Sequence, residues 1–587
     1  MRHLIVSSLT SLSLAASLAA QGPDPRTVAS KLGQGSGGLR GSIALSDEAA
    51  PGSLLLPESA DPVAGGSVVP QIQLRGGNTQ VNDPLGDVIQ IFAGFRPFVR
   101  ATQSEVALAA NGRDIVVTYN NSAGIHVTPR LVPPPGLVTD SVRISGFSTS
   151  NDGGQTWTSG FMPTPAGGGS TSGDPSIGVD RHGVFYFAQL AASVAAGTFG
   201  IYVNKSDDSG KTWGSAVAVQ VDAAADKEWL AVGPDPVVKS RDNVYVTWTS
   251  FRAACELRFG RSTDGGATFT AKTIFVPTAN ANNAFPQNCL QFSNIVVDPI
   301  RGTLYVPFLR FSNRDQDFIQ MMISDDAGET FRFATFNVPG APSPTVYPVT
   351  QPGHLTACGG GNIRLTIHGA ANPGPGRFGF PRFVHASRLT IQPAAAARNG
   401  VVYLAWNNSS SLIFGDPASN SNILFMRSDD GGNTWTAPII ANPIVTSDTQ
   451  HVLPSLAIDQ DPNDVHISYY TQHANGSVDL DMANSRDRGA SFPVNRTIRV
   501  SSESFNLPPT NIALTNAPLF SATNYDRQIA VCYALGEYQG LTTANGNVYA
   551  AWGDSRNLIT QPVNALDPIS GQVHPEQDVL FQKVKAQ

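Results

Sequence analysis

The octapeptide Ser206-Asp-Asp208-Ser-Gly210-Lys-Thr212-Trp213 decides how this chain is read, because it recurs. Copies stand at Ser150-Asn-Asp152-Gly-Gly154-Gln-Thr156-Trp157, Ser262-Thr-Asp264-Gly-Gly266-Ala-Thr268-Phe269, Ser324-Asp-Asp326-Ala-Gly328-Glu-Thr330-Phe331 and Ser428-Asp-Asp430-Gly-Gly432-Asn-Thr434-Trp435. A worn copy follows at Ser485-Arg-Asp487-Arg-Gly489-Ala-Ser491-Phe492. All six fit S-x-D-x-G-x-[TS]-[WF]. The aspartate and serine oxygens suit hydrogen bonds to turn backbone, the glycine suits a positive φ, and the aromatic can pack against a sheet edge, which together describe a hairpin turn. A turn staple explains every constrained position of the octapeptide, whereas an acid catalyst explains one. The six aspartates are therefore read as structural.

From aspartate to aspartate the copies lie 56, 56, 62, 104 and 57 residues apart. A period in the fifties suits a four-stranded blade with its loops. Ahead of each copy runs a strand-like stretch: Ile115-Val-Val-Thr-Tyr119, Val184-Phe-Tyr-Phe-Ala188, Val244-Tyr-Val-Thr-Trp248, Leu304-Tyr-Val-Pro-Phe308, Val401-Val-Tyr-Leu-Ala-Trp406 and Val465-His-Ile-Ser-Tyr469. A seventh, Val548-Tyr-Ala-Ala-Trp552, is followed by Val579-Leu-Phe-Gln-Lys583 and no staple. The fold expected is all-β, a seven-bladed β-propeller, with six or eight blades as alternatives. An N-terminal strand, with Val68 to Leu74 as the candidate, would complete the last blade and remove its open edge. The long interval leaves residues 339–387, rich in Gly and Pro, as an inserted loop region; a degenerate eighth blade is the other reading.

The chain opens with Met1-Arg2-His3, an apolar run to Leu18 and a small-residue site before Gln21, the pattern of a secretory signal peptide over 1–20. Residues 21–65, rich in Gly, Ala, Ser and Pro, read as a flexible leader ahead of a propeller spanning 66–587. The expected product is secreted, extracellular or periplasmic, without a membrane span, and a monomer. Charged residues are 14% of the chain and the net charge is −7 with no basic run, so the electrostatic footprint of nucleic-acid binding is missing. The histidines lack paired metal spacing, so no metal or other cofactor is expected. The run Asp459-Gln-Asp461-Pro-Asn463-Asp464 has a calcium-like start but no distal Glu. Four cysteines, Cys255, Cys289, Cys358 and Cys532, permit two disulfides in an exported chain; isolated buried thiols are the alternative.

In an up-and-down blade the staples and the strand-one-to-two turns share one end. The two-to-three loops and blade connections share the other, where a ligand site belongs. This parity puts Arg252, Arg310 and Arg556 in two-to-three loops, and Asp226, Glu228, Tyr525 and Arg527 in connections leading to inner strands. Arg96 enters ahead of the first blade. It also puts Cys255 and Cys289 on adjacent blades at the same end, within reach of one disulfide.

The octapeptide resembles the Asp box, or BNR repeat, of the sialidase superfamily. That resemblance implies a propeller glycosidase in which three arginines clamp the sugar carboxylate, a tyrosine paired with a glutamate is the nucleophile, and an aspartate is the acid/base. Carried over by residue type and position, it nominates Tyr525, Glu228 and Asp226 for catalysis and Arg96, Arg252, Arg310, Arg527 and Arg556 for substrate binding. Phe95-Arg96-Pro97 lacks the isoleucine of the family's Phe/Tyr-Arg-Ile-Pro signature, and the seven-blade count departs from the six of catalytic members. Arg252, Arg310 and Arg556 also have a plainer reading as halves of loop ion pairs, and Asp226 as a turn cap. The functional expectation is a secreted exo-glycosidase of exo-alpha-sialidase type acting on glycans. Against it stand a non-catalytic propeller that binds a polysaccharide or protein, and a polysaccharide lyase.

Overall fold

The computed structural model describes, besides short isolated strands, residues 77–83, 103–121, 124–130, 136–251, 255–277, 290–310, 317–338, 343–350, 392–412, 420–443, 449–459, most of 464–506, 536–560 and 573–585. The expected signal peptide, the leader and most of the 339–387 segment lie outside the described residues.

The described elements are strands, with one turn of 3-10 helix at Val494–Arg496. Three strands with an antiparallel fourth recur along the chain. The first set is Gln103–Asn111, Asp114–Asn121, Ser145–Ser150 and Thr158–Phe161; the second is Gly169–Val179, Phe185–Ser193, Thr198–Ser206 and Val217–Val221. The third is Ala225–Pro234, Asp242–Phe251, Cys255–Ser262 and Thr270–Phe275. In the fourth, Leu290–Gln291 and Val296–Val297 form a broken inner strand beside Leu304–Arg310 and Asp317–Ser324, with Arg332–Phe333 and Tyr347–Val349 outside. Tyr347–Val349 gives part of the 339–387 segment a place in this sheet. The fifth is Ala394–Arg398, Val401–Ser409, Ser421–Ser428 and Ile439–Ile440, and the sixth starts with Gln450–Ile458, Val465–Gln472 and Ser477–Ser485. Ile498–Arg499 and Phe505–Asn506 flank the sixth, and one parallel pair, Ser421 with Gln450, joins it to the fifth.

The seventh set is Gly540–Ala544, Asn547–Thr560 and Val573–Lys585, and its fourth strand comes from the other end of the chain. That strand is Thr79–Gln80, paired with Leu580–Phe581. The expected 68–74 strand is thereby corrected. Ser67–Val68 instead pairs with Thr158–Ser159 at the outer edge of the first sheet. The cause is side-chain amides. Gln80 Nε2 and Asn82 Nδ2 donate to Asp578 Oδ1 at 2.6 and 2.7 Å, and Asn78 Nδ2 donates to Gln582 Oε1 at 2.8 Å.

Sheets pack face on face through apolar residues that alternate along each second strand. Phe187, Trp248, Phe308, Trp406, Tyr469, Trp552 and Tyr119 each anchor a different cluster between neighbouring sheets. Inner strands contact in sequence: Gln103–Asn111 with Gly169–Val179, then Ala225–Pro234, Val296–Val297, Ala394–Arg398, Gln450–Ile458 and Gly540–Ala544, which returns to Gln103–Asn111.

The octapeptides do what their composition requires. Ser206 Oγ donates to Asp208 Oδ1 at 2.9 Å and accepts the Gly210 N–H at 2.9 Å, while Thr212 donates its N–H to Oδ1 and its hydroxyl to Oδ2, at 2.9 and 2.7 Å. The hydroxyl-to-Asp bond repeats in the other five copies. Gly210 (φ 80°) also lies where a Cβ would stand 2.5 Å from Val116 Cγ2, so each staple clasps the preceding sheet as well as its own turn. Trp157 of the first copy packs edge-on against Phe581 of the seventh sheet at 4.9 Å.

Burial of the box carboxylates would raise their pKa; the hydrogen bonds oppose it and hold Asp152 and Asp264 at about 2. Folded values below the unfolded one near 4 give stability that is present above pH ~4 and lost as pH falls toward 2. Asp208→Ala is expected to lower stability by about 1–3 kcal/mol at pH 7, with a smaller deficit at pH 2–3, and to leave ligand binding intact. Urea titrations at the two pH values measure both effects.

Candidate functional site

On the inner strands of the first, second, third, fourth and sixth sheets one residue breaks the alternation. Glu105 (φ 56°), Asp174 (57°), Lys227 (53°), Phe292 (60°) and Leu453 (51°) adopt the left-handed region, which costs a non-glycine residue roughly 1–2 kcal/mol. In the first, second, third and sixth sheets the ladder slips at this point. Gly536 (φ 97°) stands just before the seventh inner strand, and a Cβ there would lie 2.3 Å from the Glu105 backbone nitrogen. A bulge swings its side chain out of the regular pleat. Here it brings charges from four sheets together.

Lys227 Nζ lies 2.8 Å from Glu105 Oε1, 2.5 Å from Glu537 Oε2 and 3.5 Å from Asp174 Oδ2. These partners come from the first sheet, the seventh and the second, so they meet where the inner strands converge. All four are buried. Asn120 holds two of them, donating to Glu105 Oε2 at 3.1 Å and accepting the Asp174 N–H at 2.9 Å. Tyr538 completes one wall, with its hydroxyl donating to Pro175 O at 2.9 Å, its ring edge-on to Trp229 at 5.0 Å and Lys227 Nζ 5.5 Å from its centroid.

Desolvation alone would lower the Lys227 pKa, but Asp174, Glu105, Glu537 and Asp226 outweigh it and hold the ammonium charged. Glu105 is pushed well above the usual carboxyl range by burial and by Asp174 and Glu537, against the pull of Lys227. Glu228 is 2% exposed, and neither of its carboxyl oxygens has a hydrogen-bond partner on another residue. Burial, then the charges of Asp174 and Asp226, push it well above the carboxyl range, its own backbone N–H and Lys227 pulling the other way. Its neighbour Asp226 is half-buried and accepts a 2.5 Å hydrogen bond from Gln291 Nε2 of the fourth sheet. A buried carboxyl with a raised pKa therefore stands two residues along the strand from a more accessible carboxyl group. That pairing is suited to proton transfer.

The structure puts the two candidate arginines among the described residues on different sheets. Arg310 is buried in the fourth sheet, 5.6 Å from the Phe275 ring centroid and 3.3 Å from Gln320 Oε1, and desolvation lowers its pKa to about 10. Arg556 of the seventh sheet clamps Asp554 with two bonds, Nε to Oδ1 at 2.9 Å and Nη2 to Oδ2 at 2.6 Å, and donates to Ser502 Oγ at 2.8 Å. Tyr525, Arg96, Arg252 and Arg527 lie outside the described residues. Cys255 is disulfide-bonded; Cys289, Cys358 and Cys532 lie outside the described residues. Among the described residues no group of three or more His, Cys, Asp or Glu is arranged to hold a metal ion, and no helix is long and apolar enough to cross a membrane.

Asp226 and Glu228, expected in a connection ahead of an inner strand, lie within the inner strand Ala225–Pro234 itself. Glu105, Lys227, Glu537 and Tyr538 were not singled out from the sequence. The signal that could have found them is a charged residue at the same place on several blades, in Gln103-Ser-Glu105, Ser172-Gly-Asp174, Asp226-Lys-Glu228 and Gly536-Glu537.

No protein-family model and no curated protein matches the sequence. Among solved structures the chain is similar to a Hadza microbial sialidase, at 12% identity over 77% of this chain and 76% of that one, with a TM-score of 0.36. It is similar to the sialidase of Trypanosoma rangeli solved with sialic acid, at 12% identity, 92% and 59% coverage and a TM-score of 0.33. It is also similar to the alpha-L-arabinanase of Penicillium chrysogenum solved with arabinobiose, at 13% identity, 61% and 93% coverage and a TM-score of 0.31. With its repeated octapeptides and sheets of four antiparallel strands, the chain resembles the sialidase superfamily.

Proposed function

We propose that this is a secreted, monomeric, seven-bladed β-propeller that acts on glycans as a glycoside hydrolase. Seven repeats of a four-stranded set, with inner strands in contact from the first round to the last, support the blade count. The observation that carries the activity is the pair Asp226 and Glu228, set at the end of the blades away from the staples, with the Glu228 carboxyl buried, bonded to no other residue and pushed up in pKa by that burial. In this reading the protonated Glu228 donates its proton to the glycosidic oxygen as the bond to the leaving group breaks. Asp226 serves as the carboxylate that activates water or attacks the sugar. Tyr538 is not the nucleophile: its hydroxyl is spent on Pro175 O, and burial among carboxyl groups raises its pKa instead of lowering it.

The exo-alpha-sialidase specificity implied by the resemblance is one arm of the test. Purified protein is incubated with fluorogenic aryl glycosides, sialosides included. Release of the fluorophore from any of them, lost in Asp226→Asn, supports a hydrolase that uses this pair. A second reading, a glycan-binding propeller without turnover, draws on the burial of the Lys227 knot, which also fits a purely structural bolt. Retained glycan binding with no release from any substrate would favour it.

A further inference from the structure

We infer that the glycan taken at this site is uncharged, a neutral pentose or hexose chain, and not a sialoside or uronide; the inference rests on the hydrolase or binding reading of the Asp226 to Glu228 region. Glu105, Asp174, Glu228 and Glu537 bring four carboxyl groups to one buried place, and Asp226 adds a fifth beside them. Among the described residues one ammonium, Lys227, faces them, and it is already engaged by three. Two of the side chains keep protons well beyond their usual range, a sign that the place already carries more negative charge than its surroundings tolerate.

A sugar carboxylate brought here would meet like charge in a medium that screens it poorly, and it would forfeit its hydration. Its natural receptors are guanidinium forks. Of the candidate arginines among the described residues, Arg556 has committed its fork to Asp554, and Arg310 lies in the fourth sheet against Phe275. A neutral sugar needs something else: acceptors for its hydroxyl protons, a donor for its ring or glycosidic oxygen, and an apolar surface for its C–H face. Asp226 and Asp174 supply acceptors, Glu228 the donor, and the half-buried Trp229, braced by Tyr538, the surface. The net charge of −7 adds a long-range field of the same sign.

The test compares kcat/KM for aryl pentosides and hexosides with that for a sialoside and a glucuronide. In parallel, equilibrium dialysis of the intact protein is run against neutral oligosaccharides and their sialylated counterparts. The expected result is a preference for neutral substrates on the order of 100-fold or more, the scale of a like-charge juxtaposition, with the same ranking in binding. Equal or better turnover of the sialoside overturns the inference while leaving the hydrolase reading intact. With no turnover of any substrate the hydrolase reading fails, and dialysis decides: binding confined to neutral chains sustains the inference, and binding of sialylated chains, or of none, ends it.

Discussion

Lys227→Met is expected to destabilise the protein by about 3–5 kcal/mol at pH 7, the scale found when one partner of a buried ion pair is removed. The methionine fills nearly the same volume, so the loss is electrostatic in origin. Glu105, Asp174 and Glu537 would keep their positions on three different sheets without the ammonium that joins them. The dependence on pH gives the effect its signature. Without Lys227 the Glu105 carboxyl, already pushed up by burial, loses the ammonium that pulls its pKa down and rises further above the unfolded value near 4, so folding takes up protons. The folded state then keeps its stability below pH ~4 and loses it as pH rises through the elevated folded value. Urea midpoints of the variant and the wild type should therefore converge at low pH and diverge at neutral pH. A deficit of equal size at pH 4.5 and pH 7.5 would assign the loss to packing and remove the electrostatic account. Because the partners lie on the first, second and seventh sheets, the variant should also lose protection at both ends of the chain together.

The repeat was legible because the octapeptide is a local device: every bond from Asp208 is made within four residues along the chain, so sequence spacing suffices to see it. The aromatic ends of the second strands were legible for the related reason that alternation encodes which side is buried. The closing strand is Thr79–Gln80 and not the expected 68–74 stretch. The clasp is polar, with Asn78, Gln80 and Asn82 alternating toward Asp578 and Gln582 nearly 500 residues away. Desolvation and the neighbouring Asp554 raise the Asp578 pKa to about 6, against the bonds from Asn82 and Asn557. The Lys227 knot was hidden for a different reason. Its members are single charges at separate places in the sequence, and only the left-handed bulges aim them at one another. Arg556 shows the converse. Residue type and loop position made it a candidate for sugar binding, and its own neighbour Asp554, two residues away, takes up its fork.

Glu228→Gln is expected to lower kcat on the preferred aryl glycoside by about 100- to 10,000-fold, the range attributed to a positioned proton donor, while leaving the melting temperature close to that of the wild type. The amide keeps the size and shape of the side chain and removes the one proton that can be transferred. It also removes a buried ionisable group that the fold holds in its neutral form, so no charge is left unpaired. The pH profile separates a catalytic role from a structural one. Burial and the fields of Asp174 and Asp226 raise the Glu228 pKa, so the acid form persists above the ordinary carboxyl range and the rate should fall as pH rises through that elevated value. In Glu228→Gln this alkaline limb should vanish along with most of the activity. Substrates with a good leaving group, which need little protonation, should lose much less than those with a poor one. A variant that loses activity and melting temperature in parallel, with the alkaline limb still present, would make Glu228 a structural acid. The proton donor would then be sought among the residues around the Lys227 knot.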